Sequence, residues 1–278
     1  MPLPTLKETL TKYQQNQKAL PSFNIDSFEI YQAVEAAVRE SSLPCLVQLS
    51  AGEDAFIQAE RLFLLVKKAN SEGLPIYLNM DHGKDIKRLL HLAQLGFDMI
   101  HFDASKEDYQ TNLLLSTHLK KELDNLSLPT LLEVEFDHIK PVDSKIDPSS
   151  FTSPEKALDF IQTSRADLLA VSIGNLHGVA KDLPESINLE LLEQIHQVLP
   201  NTFLTLHGGS GISSAQISKA IQSGIQKINI NTDLRLKFKH SLADQLSHIS
   251  SERIYDYFTP LVDDLKQVVL QKLTQFSS

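Results

Sequence analysis

Short apolar runs alternate with longer amphipathic segments along the whole chain. Several runs, such as LLEVEF and LLAVSIG, are almost continuously apolar, as expected of parallel strands that are covered on both faces. The intervals between runs carry apolar residues at helical spacing, for example Phe28, Tyr31, Val34 and Val38. Eight runs have the length and composition of strands, at residues 22–25, 45–49, 76–80, 99–102, 130–136, 168–173, 203–206 and 227–230.

This alternation predicts an α/β protein, and eight strand–helix units in about 250 residues are typical of a (β/α)8 or TIM barrel. We therefore expect residues 1–278 to form one barrel domain, with a doubly wound open sheet as the competing arrangement. Residues 260–276 follow the last unit and gather their apolar positions on one side. They predict a C-terminal helical extension that packs against the barrel wall or forms a dimer seam.

Charge and cysteine content narrow the class of protein. The chain has 278 residues, with 26 basic and 35 acidic side chains and a net charge of −9. This balance argues against nucleic acid or an anionic membrane as a partner. The single cysteine, Cys45, cannot form an internal disulfide, and no stretch approaches the roughly 20 apolar residues of a membrane span. We expect a soluble cytoplasmic protein.

Three histidines are followed directly by glycine just past a predicted strand: His82, His177 and His207. With 10 histidines and 10 glycines in 278 residues, chance predicts about 0.4 such pairs, from 10 × 10/278. The carboxyl ends of barrel strands meet at one mouth, so the three imidazoles are expected to converge there. Three imidazoles with an open fourth position are typical of a catalytic zinc site.

Acidic side chains gather at the same strand ends: Asp81, Asp103, Glu133 and Glu135. Asp81 is favoured as an acid/base because it shares a turn with a predicted metal ligand. The others either orient ligands or have a structural role. His101 lies inside a strand and is interpreted as a core histidine whose polar atoms are satisfied.

Two late segments have the composition of an anion site. Residues 207–211 read HGGSG and precede a helix, and residues 229–233 read NINTD at the end of strand eight. Glycine-turn amides, hydroxyl groups and a helix N-terminus suit an anion, and barrels commonly bind phosphate after strands seven and eight. Together the segments indicate a phosphorylated substrate.

The motifs resemble those of the class II, metal-dependent fructose-bisphosphate and tagatose-bisphosphate aldolases, in segments 23–24, 78–83, 173–178, 207–211 and 229–233. The resemblance implies that His82, His177 and His207 bind Zn²⁺ or another divalent metal, with Glu135 close to it. It implies that Asp81 is the acid/base for the aldehyde-side hydroxyl, that Asn229 contacts the ketose near its carbonyl, and that Asp103 supports a ligand. It further implies that substrate or phosphate is bound by Asn24, Ser50, Gly178, Lys181, Gly208, Ser210, Asn231 and Thr232.

The implied reaction is the reversible cleavage of a ketose bisphosphate, fructose or tagatose 1,6-bisphosphate, to dihydroxyacetone phosphate and an aldehyde such as glyceraldehyde 3-phosphate. The implied partner is a small sugar phosphate, and the implied assembly is a homodimer or homotetramer. A metal supplies the electron sink of such a reaction, as does a lysine Schiff base. No lysine closes any of the eight runs, and Lys227 opens one instead, which favours the metal.

One stretch departs from the family pattern. After strand five the family carries a G-G-x-E-D/N loop whose glutamate handles a proton of the ketose fragment, whereas residues 136–145 read FDHIKPVDSK. Asp143 stands about where that glutamate should be, and Asp137 and His138 are the other candidates. Before the final helix there is also no obvious arginine for the distal phosphate, because Leu261 and Val262 stand where the resemblance would place it.

Two other functions remain open. The changed loop allows a sugar-phosphate-binding or regulatory homologue that keeps the metal and phosphate sites without turnover. A metal-dependent hydrolase on the same fold is disfavoured, because such barrels use an H-x-H pair near the first strand and this sequence has none.

Overall fold

Eight parallel strands close into a barrel in chain order, with the first strand paired to the last. The computed structural model describes residues 2–137, 139, 150–176 and 187–278. The barrel confirms the (β/α)8 prediction and excludes the open sheet. The strands are β1 (Leu20–Asn24), β2 (Cys45–Leu49), β3 (Ile76–Gly83), β4 (Met99–Asp103), β5 (Leu131–Glu135), β6 (Leu168–Ala170), β7 (Phe203–Leu206) and β8 (Ile225–Ile230).

The strands are surrounded by helices, most of which begin at a polar side chain that accepts a hydrogen bond from their first turn, as Ser27, Asp108 and Ser213 do. The described helices are α1 (Leu6–Gln15), α2 (Phe28–Ser41), α3 (Ala51–Ile57), α4 (Ala59–Ser71), α5 (Ile86–Leu95), α6 (Tyr109–Asn125), α7 (Pro154–Ser164), α8 (Leu189–Val198), α9 (Ser214–Gln222), α10 (Thr232–His248) and α11 (Ile254–Phe276).

The barrel interior is apolar at the amino-terminal ends of the strands. Seven strands contribute a buried apolar side chain to this layer, and α1 covers it from below with Leu6, Leu10 and Tyr13. This end of the barrel is therefore a packed floor. The strand residues of the layer are Leu20, Leu46, Tyr77, Met99, Leu131, Leu168 and Phe203.

Above that floor the inward-facing side chains become polar. Because side chains alternate along a strand, the residue two positions after each floor residue points inward again. On β4 and β5 these residues are His101 and Glu133, and both are fully buried. The strand register pairs His101 with Glu133 and Asp103 with Glu135, so two neighbouring strands bring these groups together at the carboxyl end.

The last helix is longer than the sequence predicts. α11 begins at Ile254, six residues before Pro260, which we expected to open it. Proline lacks only its own N–H, so a turn can precede it when other contacts hold that turn. Here Arg253 Nε donates to Asp256 Oδ2 (3.1 Å) and Ser251 Oγ donates to the same oxygen (2.5 Å).

The apolar side of α11 packs against α2 and α10, with Leu261, Leu265, Val269, Leu273 and Phe276 buried. Its end is joined to the barrel, since the Ala19 N–H donates to the Phe276 carbonyl oxygen (3.0 Å). This packing against the barrel wall is the first of the two arrangements that the sequence left open. Within the described chain, every helix is too short or too polar to cross a membrane.

Candidate active site

A cleft of about 590 Å³ opens at the carboxyl ends of the strands. Its walls come from β1, β3, β4 and β8 and from the loops and helix starts that follow β2, β3, β4, β7 and β8, which places it where barrel enzymes hold their chemistry. The lining residues are Asn24, Ser50, Ala51, Gly52, Asp81, His82, Lys84, Asp103, Lys106, His207, Gly208, Ser210, Asn229, Asn231, Thr232 and Arg235.

Two predicted ligands, His82 and His207, face each other at the base of the cleft. An ionised carboxylate only accepts hydrogen bonds, so His82 Nδ1–H donates to Asp103 Oδ2 (3.0 Å) and His207 Nε2–H donates to Glu133 Oε1 (2.9 Å). The other two nitrogens, His82 Nε2 and His207 Nδ1, lie 3.0 Å apart. Carboxylates behind both rings thus orient two lone pairs toward one point, as is usual for metal-binding histidines.

The protonation of this pair depends on burial and on the neighbouring carboxylates. Burial lowers the pKa of His207 to about 3. Burial acts in the same sense on His82, but the Asp81 and Asp103 carboxylates outweigh it and raise the pKa of that imidazole. A cation between the two facing nitrogens, either a proton or a metal ion, is therefore favoured.

Asp81 is held beside the two imidazoles by amide groups. Gln48 Nε2 donates to Asp81 Oδ2 (3.1 Å), and Asn229 Nδ2 donates to Asp81 Oδ1 (3.2 Å). Burial alone would raise the pKa of this carboxyl, but His82 and the other cationic groups nearby hold it well below its usual range. Asp81 is thus an ionised, oriented carboxylate that lines the cleft, as an acid/base at this position requires.

Beneath the cleft, Glu133 accepts three hydrogen bonds. Besides His207, Lys227 Nζ donates to it (3.0 Å) and so does Thr205 Oγ1 (2.9 Å). Lys227, which sequence reasoning considered only as a Schiff-base candidate, is fully buried and is paired with this carboxylate. Opposing the effect of burial, Lys227 above all holds the pKa of Glu133 below its usual range.

His101 differs from its prediction. It is fully buried, as expected of a core histidine, but its Nε2 has no hydrogen-bond partner among the described residues. Its ring centroid lies 4.6 Å from that of His82 and 5.0 Å from that of His207. Asp81, His82, His101 and His207 each offer a ligand atom, and these atoms all lie within 4.8 Å of one another.

The charges around the imidazoles fit a divalent cation. Asp81, Asp103 and Glu133 have lowered pKa values and are ionised at pH 7, whereas burial raises the pKa of Glu135 to about 8. Lys227 balances one of the three negative charges. With neutral imidazoles, two negative charges remain, which is the charge that one divalent metal ion compensates.

The glycine-rich turn after β7 closes one side of the cleft. Gly208 has φ +71°, and a Cβ there would lie 1.8 Å from the carbonyl oxygen of Leu176. Only glycine fits this approach of two loops. Ser210 Oγ accepts from the backbone N–H of Asp233 (3.3 Å), which joins the turn to the first residues of α10. The predicted anion segments thus lie side by side.

The remaining predicted binding residues meet at Glu53, a buried carboxylate that sequence reasoning missed. Asn24 Nδ2 (2.9 Å), the Ser50 backbone N–H (2.6 Å) and Asn231 Nδ2 (3.4 Å) all donate to its carboxylate. Arg235 donates to it as well (2.7 Å). Burial still raises the pKa of Glu53. The sequence does contain a signal for Glu53: a serine followed three residues later by a glutamate, here Ser50 and Glu53, is typical of a capping box at the start of a helix.

Five predicted residues cannot be placed. The third histidine, His177, lies outside the described residues, as do Gly178 and Lys181 of the same segment and Asp143 and His138 of the changed loop. Asp137 is described: burial raises its pKa to about 6, and it is not among the residues that line the cleft.

The fold and site define a (β/α)8-barrel enzyme with a histidine–carboxylate centre at the strand ends. Residues 4–278 match the family model for class-II fructose-bisphosphate aldolase, so the chain belongs to that family of lyases. Aldolases similar to it include the fructose-bisphosphate aldolase of Mycoplasma pneumoniae, 33% identical over 87% of this chain and 84% of the relative. The enzyme of that name from Ureaplasma parvum is 28% identical over 100% and 98% of the two chains.

Solved structures agree on the fold. The crystal structure of the YdjI aldolase from Escherichia coli K12 superposes with a TM-score of 0.85. The match covers 98% of this chain and 96% of the other, at 24% sequence identity. The barrel, including its C-terminal helix, is thus shared over nearly the whole length.

Proposed function

We propose that this protein is a metal-dependent aldolase that reversibly cleaves a ketose bisphosphate. Fructose 1,6-bisphosphate and tagatose 1,6-bisphosphate are the candidate substrates, with dihydroxyacetone phosphate and glyceraldehyde 3-phosphate as products. The observation that carries the proposal is the pair of facing nitrogens, His82 Nε2 and His207 Nδ1, 3.0 Å apart beside the ionised Asp81. The proposal places the reaction in the cytoplasm and takes Zn²⁺ as the metal.

His82 and His207 would hold the metal, with the undescribed His177 as the proposed third ligand and Glu135 nearby. A divalent ion bound there supplies a Lewis acid that draws electrons toward a carbonyl oxygen. In the cleavage direction, Asp81 accepts the proton of the C4 hydroxyl, and the electrons of that O–H bond form the carbonyl of the aldehyde. The bond between C3 and C4 breaks, and its electron pair stays on C3.

The carbon that keeps the electron pair then takes a proton, which we assign to Asp143 or His138 on the sequence alone. Asn229 supports the proposed contact with the ketose, because its Oδ1 is buried without a partner in the described part of the chain while its Nδ2 holds Asp81. An amide with one open oxygen at the cleft wall suits a substrate hydroxyl.

The phosphate of the ketone fragment is proposed to lie on the glycine-rich turn. Gly208 and Ser210 on that turn face the cleft together with Asn231 and Thr232, and Thr232 opens α10. The backbone N–H groups and the positive end of the dipole at a helix N-terminus favour a phosphate dianion. Gly178 and Lys181 remain proposed contributors from outside the described residues.

The test is the release of triose phosphate, measured with a coupled assay before and after chelation and after return of Zn²⁺, Co²⁺ or Mn²⁺. We expect activity to follow the metal content of the same sample. His207→Ala should lose metal and activity, whereas His91→Ala, an exposed histidine of α5, should keep both. If triose phosphate is still released after chelation, or by His207→Ala, the metal mechanism is refuted. Binding of dihydroxyacetone phosphate without turnover would favour the sugar-phosphate-binding alternative.

A further inference from the structure

His101 lies behind the imidazole pair rather than in the cleft. It is fully buried at the centre of the polar layer of the barrel and is absent from the cleft lining. The strand register places it directly beside Glu133 of β5. A side chain in this position cannot meet substrate, so any role in the chemistry has to act through its neighbours.

One nitrogen of His101 is fixed by the backbone. The N–H of His82 donates to His101 Nδ1 at 3.2 Å. Asp81 Oδ1 (3.6 Å) and Glu133 Oε1 (3.7 Å) also face this nitrogen, but beyond hydrogen-bond distance. A nitrogen that accepts an N–H carries no proton, so a neutral His101 carries its proton on Nε2.

The Nε2 atom of His101 faces the carboxyl group of Glu135. Glu135 Oε2 lies 3.8 Å from this nitrogen, and neither atom has a hydrogen-bond partner among the described residues. The other oxygen of Glu135 accepts the backbone N–H of Ile139 (3.2 Å). A buried donor and a buried acceptor therefore face each other, about 0.9 Å beyond an ordinary N–H···O distance.

We propose that His101 is a positioning residue for Glu135: the Nε2–H of His101 holds the carboxyl group of Glu135 on the inner side of the His82–His207 pair. The link runs from the backbone of β3, through the imidazole on β4, to the carboxyl group at the end of β5. Because its ends are strands of the barrel, the link sets the approach of Glu135 to a cation. The inference rests on the proposed metal dependence of the site.

The first test reads the tautomer directly. Nitrogen-15 NMR of protein labelled in its histidines should show the His101 proton on Nε2. The signals of His101 are identified as those that are absent from the spectrum of His101→Gln. A proton on Nδ1 would overturn the inference. This measurement needs no activity and no metal, so it stands even if the proposed function fails.

The second test asks whether His101 acts through Glu135. The Kd for Co²⁺ is measured by competition with a chelator in the wild type, His101→Met, His101→Gln, Glu135→Gln and the double variant His101→Met/Glu135→Gln. Loss of a group that orients a ligand weakens metal affinity by about 10–100-fold, which is the change expected for His101→Met. His101→Gln keeps an N–H donor and should recover most of that loss.

The double variant should bind Co²⁺ no more weakly than Glu135→Gln. Once the carboxyl group of Glu135 is gone, His101 has no group to position, so its loss should have no further effect. Two effects that multiply would overturn the inference, as would an unchanged Kd in His101→Met. Met99→Leu, one layer below on β4, controls for repacking of the strand. Should His101→Met not fold, His101→Gln and the NMR experiment decide. A wild type that binds no Co²⁺ refutes the proposed metal site instead.

Discussion

Lys227→Met tests the buried ion pair beneath the cleft. Lys227 and Glu133 are both fully buried, and Lys227 Nζ donates to Glu133 Oε2 at 3.0 Å. Methionine fills a similar volume but leaves the carboxylate without its cation. Thr205 and His207 still donate to Glu133 in the variant. The substitution therefore removes only the positive charge of Lys227 and one of the three hydrogen bonds that Glu133 accepts.

The expected loss follows from the geometry. Two unit charges 3.0 Å apart attract by about 5 kcal/mol at an effective dielectric constant of about 20. Breaking a buried pair by removing one partner costs about 3–5 kcal/mol in comparable cases, because the remaining charge stays desolvated. Since a domain is stable by only about 5–15 kcal/mol, Lys227→Met should fold but unfold at a much lower urea concentration.

Urea unfolding followed by circular dichroism measures this change in Lys227→Met, Glu133→Gln and the double variant. The double variant should lose much less than the sum of the single losses, with a coupling of about 2 kcal/mol or more, because it leaves neither charge unpaired. Losses that simply add, or a Lys227→Met protein within about 1 kcal/mol of the wild type, would refute the idea that this pair is energetically coupled.

Two further changes have sharp expectations. Gly208→Ala places a Cβ 1.8 Å from a backbone carbonyl oxygen at φ +71°, so the unfolding free energy should fall by at least about 1–2 kcal/mol. Gly52→Ala in the same cleft, with nothing within 4 Å of its Cβ, should change it by less than about 1 kcal/mol; equal losses contradict the steric reasoning. Arg88 donates two hydrogen bonds to Glu60 and lowers the pKa of that carboxyl to about 2. Carbon-13 NMR should show that pKa returning toward 4.5 in Arg88→Met, and a midpoint near 4.5 in both proteins contradicts the ion pair.

The sequence was sufficient to predict the barrel because several strands are almost continuously apolar runs and all eight runs alternate with amphipathic segments. The sequence also predicted that His82 and His207 lie together at the strand ends, because each is followed by glycine just past a predicted strand. Asp103, which was expected to support a ligand, accepts a hydrogen bond from His82. Local sequence patterns were enough for these residues because a residue that directly follows a barrel strand lies at the carboxyl end of the barrel.

Apart from Glu53 on α3, what the sequence reasoning missed lies inside the barrel. Lys227 and Glu133 are 94 positions apart, and they meet only because eight strands close into a ring. The position of His101 could have been predicted. Asp103 lies two residues after it on β4, so both side chains point to the same face of the strand, and assigning Asp103 to the centre places His101 beneath it. A histidine in an apolar run was instead interpreted as ordinary core.

Net charge was a poor guide to the cleft. A chain of charge −9 repels a phosphate dianion at long range, but this repulsion is screened over about 10 Å at 0.1 M salt. Within the cleft, Lys84 and Lys106 are exposed on the walls that follow β3 and β4, across from the glycine-rich turn. Asp103, an acidic group of the same cleft, is engaged with His82. Lys84 and Lys106 thus place positive charge at the mouth of the cleft, while repulsion from acidic residues more than about 10 Å away is largely screened.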